Sequence, residues 1–210
     1  MDYLSLQSRY RIRDKENKMK YTVETIKEIV GSNHDVPVIY FWGHIRNPKK
    51  VTAACLSQWY DCRFEVDGVQ YHTTEQYMMA SKARLFGDDE ILKEIMFADM
   101  PFDYKKLGRR IRGFVAETWD AEKYDIVVEG NKAKFSQNLV LKKFLLSTEN
   151  AILAEASPYD TVWGIGLDKE HAQKGGVGQW QGENLLGCAL MDVRDYLKEN
   201  DDSCNLIAAL

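Results

Sequence analysis

The chain has 210 residues, 45% of them hydrophobic, a formal net charge of −4 and four cysteines. This is enough apolar material for one substantial core, while the acidic total excludes general polyanion coating and leaves room only for a local basic face. No run approaches the ~20 apolar residues of a membrane span and Met1 to Lys20 lacks an apolar signal stretch, so the sequence predicts a soluble, cytoplasmic protein.

Residues 1 to 20 read as a flexible lead-in, followed by an amphipathic helix from Thr22 to Val30 with Val23, Ile26 and Val30 on one face and Gly31 as its stop. Val38 to Trp42 has strand composition, and Gly43 to Lys50, with Asn47-Pro48, reads as a loop. Arg63 to Val66, Asp67-Gly68 and Val69 to His72 spell a hairpin, because Asp-Gly suits the positive φ angles of a type I′ turn. A helix follows at Thr74. Asp88 caps a further helix to Phe97, and Pro101 starts one that carries Lys105, Lys106, Arg109, Arg110 and Arg112 around Leu107 and Ile111. That basic run suits phosphate, or simply a solvated face.

Asp120 to Leu146 is helical in pattern, with a break expected near Gly130, whereas Thr148 to Ala156 fits no single element. Ser157 to Gly166 and Gly175 to Gly182 read as turn-rich, glycine-bearing loops. Asn184 serves as N-cap for a core helix from Leu185 to Glu199. The elements read as several helices and a hairpin in one domain with an N-terminal extension.

Glu75 and Lys82 are seven residues apart, nearly two helical turns, which puts an acid and an amine on one stripe about 10 Å apart. Met78, Met79 and Phe86 beside that stripe would penalise the lysine charge, and an uncharged lysine is a nucleophile. A purely structural account also fits: Thr73 with Gln76 makes a capping box, and the helix dipole favours Glu75 in the first turn. Trp119, Trp163 and Trp180 offer flat faces for a heterocyclic base, with Asp160 and Glu75 available to read its edge or move protons. No P-loop, strand-linked GxGxxG or G-x-S-x-G elbow is present, so ATP hydrolysis, hydride transfer and serine-hydrolase chemistry lose their usual support.

Cys55, Cys62, Cys188 and Cys204 lack Cys-x-x-Cys spacing and read as reduced structural thiols, and no two histidines share i, i+4 spacing. The sequence therefore predicts neither bound metal nor cofactor.

Seven blocks occur in order: Phe41-Trp42, Leu56 to Trp59, Thr74 to Ala83, Lys134 to Asn138, Leu145 to Thr148, Asp160 to Gly166 and Gly182 to Gly187. Together they resemble the motifs of the NADAR, or YbiA-like, family over about Pro37 to Leu197. The resemblance implies an α+β, mainly helical domain with a small hairpin or sheet over residues 37–198, between an N-terminal extension with a short helix (1–36) and a C-terminal tail (199–210), and N-glycosidase activity without a cofactor. It links the chain either to removal of ADP-ribose from guanine bases in nucleic acid or to hydrolysis of phosphorylated ribosylamino-pyrimidine intermediates of riboflavin synthesis. Both substrates join a ribose through nitrogen to a guanine-like ring.

Carried over by motif, Glu75, Lys82 and Asp160 are implied to be catalytic. Phe41, Trp42, Ser57, Gln58 and Trp119 are implied to bind substrate, as are Trp163, Gly164, Gly166 and Asn184. The chain departs from the pattern at Gln58, where asparagine is more usual, and in an inserted-looking loop from Gly43 to Ala54. Two mechanisms stay open, a transient imine at Lys82 and direct attack by water. Two other classes also stay open: a non-enzymatic ADP-ribose-binding module and a structural interaction domain.

Overall fold

The computed structural model describes residues 19–200; residues 1–18 of the lead-in predicted over 1–20 and residues 201–210 of the tail predicted over 199–210, with Cys204, lie outside them. The described chain is α+β and mainly helical. Helix α1 (Val23–Ser32) starts as its sequence suggests, because Thr22 Oγ1 accepts from Thr25 N at 3.2 Å while Thr25 Oγ1 accepts from Thr22 N at 2.8 Å. It runs through Gly31 and ends at Asn33, whose backbone is extended; nothing near Gly31 forces a stop.

Strand β1 (Val38–Phe41) pairs in parallel with β4 (Ile152–Glu155), with Val38 opposite Ile152 and Phe41 opposite Glu155. Thus the segment with no clear sequence assignment contains a strand, and Ile152, Leu153 and Ala154 are all buried. Strands β2 (Phe64–Val66) and β3 (Val69–Tyr71) form the expected hairpin, with Asp67 and Gly68 at φ 51° and 77°. The Phe64 and Tyr71 rings stack at 5.8 Å, and Tyr77 meets Tyr71 edge-on at 5.1 Å, which seats the hairpin on the next helix.

That helix, α2 (Thr74–Leu85), is the centre of the domain: Thr74 to Ser81 are buried without interruption. It packs against α3 (Asp89–Phe97), α4 (Pro101–Gly108) and α5 (Ala116–Gln137). Its capping box is only half closed. Thr73 Oγ1 accepts from Gln76 N at 3.0 Å, but Gln76 Oε1 reaches past it to His72 N at 2.8 Å.

Helix α5 does not break at Gly130, where a Cβ would stand 2.5 Å from the Tyr77 ring; the glycine serves close approach of α2 and α5 rather than a turn. The break falls at Asn138, before α6 (Leu139–Ser147). Three short helical pieces lie where the sequence gives loops or no element, the 3₁₀ turns Ala53–Leu56 and Val177–Gln179 and helix α7 (Lys169–Gly175), which Asp168 caps.

The last helix, α8 (Leu185–Glu199), lies on β4 with almost no intervening side chain. A Cβ on Gly187 would stand 2.0 Å from the Leu153 carbonyl oxygen. Gly187→Ala therefore forces backbone apart and is expected to cost about 3 kcal/mol, roughly 6–12 °C of thermal midpoint. Gly31→Ala is the control. That exposed helical position has nothing within 4 Å of a new Cβ, so the midpoint should hold or rise slightly. Thermal denaturation of both variants checks the contrast.

Candidate active site

One cavity of about 750 Å³ opens beside α2, a size suited to a nucleotide-like ligand. Glu75, Met78, Met79 and Lys82 of α2 form one wall. Trp42 and His44 follow β1, Ser57 to Trp59 precede the hairpin, Lys105 and Arg109 come from α4, and Trp119 and Lys123 from α5. The segment from Glu155 to Trp163 closes the other side.

Glu75 is 5% exposed. Burial pushes its carboxyl up to about 7; the Lys105 charge and a hydrogen bond from the Trp59 indole pull the other way, and nearby Asp160 adds to the rise. Its backbone N–H donates to the Gln58 carbonyl at 2.9 Å, which locks the first turn of α2 to the Ser57–Trp59 segment. Lys82 donates from Nζ to the Gly108 carbonyl at 3.1 Å and lies over the rings of Phe114 (4.3 Å) and Trp119 (5.3 Å). It forms no ion pair among the described residues, and burial lowers its pKa. Glu75 and Lys82 do share one wall of the cavity, although the rings of Phe114 and Trp119, rather than Phe86, meet the amine.

Asp160 lines the cavity and also shapes its own loop. Oδ1 accepts from Val162 N at 3.0 Å and from Trp163 N at 2.8 Å, turning Trp163 toward the cavity wall. Gln58 Oε1 accepts from Asn131 Nδ2 at 2.9 Å, while its buried Nε2 has no partner among the described residues.

Of the predicted site residues, Glu75, Lys82, Asp160, Trp42, Ser57, Gln58, Trp119 and Trp163 meet in this cavity. Four do not line it. Phe41 is buried in β1. Gly164 sits where a Cβ would be 2.9 Å from the carbonyls of Asp160 and Glu155, and Gly166 holds a φ of 69° against Gln181. Asn184 is fully buried at φ 53° and does not cap α8 with its side chain. Its Oδ1 accepts from Glu155 N at 3.0 Å and its Nδ2 donates to the Leu153 carbonyl at 2.9 Å, so it ties α8 to β4.

The basic run is divided. Helix α4 ends at Gly108, whose missing Cβ makes room for the Met79 sulfur, and does not extend to Arg112. Arg110 pairs with Glu94 at 2.9 Å, and Arg112 with Asp88 at 2.6 Å and Glu90 at 2.9 Å. Lys105 and Arg109 are the members of the run that reach the cavity.

Sequence reasoning missed Glu155, the last residue of β4. Its carboxyl is pushed up to about 8 by burial first and then by Asp160 and Glu75. The signal for it, one acid ending an apolar run, carries meaning only once that run is known to be a strand.

Two raised carboxyls have a consequence for stability. The native state holds these protons more tightly than the unfolded chain, so their contribution is complete below about pH 4.5 and is lost as pH rises through 7 and 8. Denaturant titrations should show stability falling from pH 5 to pH 8.5. Glu75→Gln, which keeps a neutral side chain, should flatten that fall by up to about 3 kcal/mol.

Among the described residues no group of three or more His, Cys, Asp or Glu is placed to hold a metal ion, and no helix is long and apolar enough to cross a membrane. Cys55, Cys62 and Cys188 are free thiols, and burial pushes Cys55 and Cys188 up to about 12.

Residues 40–198 match the NADAR domain family. Over 161 residues the chain is 44% identical to N-glycosidase R617 of Acanthamoeba polyphaga mimivirus, covering 74% of this chain and 95% of that protein. It is 31% identical over 133 residues to N-glycosidase YbiA of Escherichia coli strain K12, covering 63% of this chain and 74% of that protein. The NMR structure of the E. coli protein YbiA superposes with a TM-score of 0.62 at 27% identity, covering 77% of this chain and 85% of that one. The chloroplastic riboflavin biosynthesis protein PYRR of Zea mays is 35% identical over 140 residues, 62% of this chain but 20% of that protein. Fold and relatives together define an enzyme of the N-glycosidase class. The chain belongs to the NADAR family.

Proposed function

We propose that this enzyme hydrolyses the N-glycosidic bond between a ribose, carried as ADP-ribose or ribose phosphate, and a guanine-like base, with ADP-ribosyl-guanine in a nucleotide or nucleic acid as the favoured substrate. The observation that carries the reading is a buried carboxyl raised to about 7 in the same cavity as a half-buried lysine that has no ion-pair partner among the described residues. A group that titrates near neutrality both takes and returns protons efficiently. Glu75 takes the proton of the attacking group at the anomeric carbon, and Lys82 is that group or stabilises charge beside it.

Trp119 and Trp163 supply flat faces for the base, and Lys105 and Arg109 supply charge for phosphate. The unpartnered Nε2 of Gln58 is a donor suited to a carbonyl of the base or a sugar oxygen. A pure ADP-ribose-binding module would gain nothing from burying Glu75 at the cost of raising its pKa.

The likeness to PYRR favours a second reading, in which the substrate is a phosphorylated ribosylamino-pyrimidine of riboflavin synthesis. Incubation with an ADP-ribosylated-guanine oligonucleotide and, separately, with that pyrimidine, followed by mass spectrometry, tests both. Release of unmodified guanine supports the first reading and cleavage of the pyrimidine alone supports the second. Nucleotide binding without product from either would contradict both.

A further inference from the structure

Glu155 has no place in the scheme above, yet it is the best-anchored acid in the cavity. Its N–H donates to Asn184 Oδ1 at 3.0 Å, its carbonyl accepts from Ile165 N at 2.9 Å, and Gly164 leaves no gap behind that carbonyl. Asn184 in turn holds Leu153, so α8 fixes the end of β4 from which the Glu155 side chain reaches the cavity. Three residues that the family motifs single out, Gly164, Gly166 and Asn184, thus stand behind one unassigned carboxyl rather than in the cavity. Gly166 belongs to the same support, since its N–H closes the Asp160 loop at 3.2 Å.

The carboxyl itself has no hydrogen bond or ion pair among the described residues. Glu75 and Asp160 both act on it as like charges, and Lys105 of α4 is the cation that it feels. The remaining charges around the cavity are engaged or distant in role. Lys82 is bonded to Gly108, Lys123 of α5 is paired with Asp120 at 2.7 Å, and Arg109 and His44 line other parts of the wall. Of the three carboxyls, Glu155 sits beside these two like charges and largely out of solvent, so its ionised form is disfavoured. One oxygen of Asp160 is taken by two backbone N–H groups and Glu75 accepts from Trp59, so Glu155 is the member with its carboxyl uncommitted.

Resting on the N-glycosidase reading above, we propose that Glu155 is the acid of the reaction. As the bond from the anomeric carbon to nitrogen breaks, its electron pair goes to the nitrogen, which takes the proton of Glu155. The attacking group forms the new bond at carbon and gives its proton to Glu75. One water is consumed per turnover, and the proton gained by Glu75 returns to Glu155 through solvent. Two carboxyls reaching one cavity from different elements, Glu75 from α2 and Glu155 from the end of β4, can divide the acid and base roles that a single residue would otherwise alternate.

Rate measurements on a ribosyl–base substrate and on p-nitrophenyl ADP-ribose test this, because nitrophenolate leaves without a proton. The wild-type kcat/KM should be bell-shaped, with limbs that belong to the carboxyl pair at about 7 and about 8, Glu75 ionised and Glu155 protonated in the reactive form. Glu155→Gln should lose roughly 10²-fold or more in kcat on the base substrate, lose the alkaline limb, and cleave the nitrophenyl probe within about threefold of wild type. Glu155→Asp, which keeps an acid, should retain the limb at reduced rate. Equal loss on both substrates, or full activity of Glu155→Gln with the limb intact while Glu75→Gln is inactive, would overturn the role of Glu155 and leave the N-glycosidase reading standing. Absence of cleavage by wild type on both would remove that reading and the proposal with it.

Discussion

Glu75→Gln is expected to lower kcat by 10²- to 10⁴-fold, about 3 to 5 kcal/mol of barrier, with KM little changed. The replacement is isosteric, and its amide oxygen can still accept from the Trp59 indole, so the first turn of α2 keeps its hydrogen bonds. What disappears is the ability to hold a proton near neutrality. The same substitution should leave the fold as stable or, above pH 7, more stable, because it removes a carboxylate that burial penalises. A variant that is slower and sturdier together separates catalysis from structure, which alanine at this buried position could not do. Steady-state kinetics and denaturant melts on one preparation check both halves.

Lys82 carries the second large effect. Lys82→Ala should cost at least ~10³-fold, and Lys82→Arg should be no better, since a guanidinium keeps the charge but cannot be a neutral nucleophile. Burial lowers the lysine pKa and no carboxylate pairs with it among the described residues, which raises the share of free amine. Borohydride should then trap a sugar adduct that maps to Lys82 by peptide mass spectrometry. If Lys82→Arg keeps activity within about tenfold and no adduct forms, water attacks directly and the lysine serves as a positive charge.

Much of the scaffold was legible because its signals are local. The positive-φ turn at Asp67-Gly68 and the cap that Asp88 gives Ile91 N are set by near neighbours in the chain, and both behave as the sequence suggests, although Asp88 also pairs with distant Arg112. The Glu75–Lys82 stripe was legible for the same reason: one helix carries both ends of it.

Features that depend on distant partners were not legible. An apolar run from Ala151 to Ala154 fits strand or helix equally until β1 pairs with it, and Glu155 inherits that ambiguity. Gly130 looks like a break until Tyr77 is found against it, and the run from Lys105 to Arg112 looks like one basic face until Glu94, Asp88 and Glu90 claim two of its arginines. Asn184 is a related case. Its family motif marks it as important, but only the fold shows that its side chain grips β4 instead of capping α8 or lining the cavity.

The most direct test is a single-turnover reaction with an ADP-ribosylated-guanine oligonucleotide, read by mass spectrometry for wild type and Glu75→Gln side by side. Stoichiometric return of unmodified guanine by wild type, with at least ~10²-fold slower return by the variant, is the predicted result. Equal rates for the two proteins would contradict the assignment of proton transfer to Glu75.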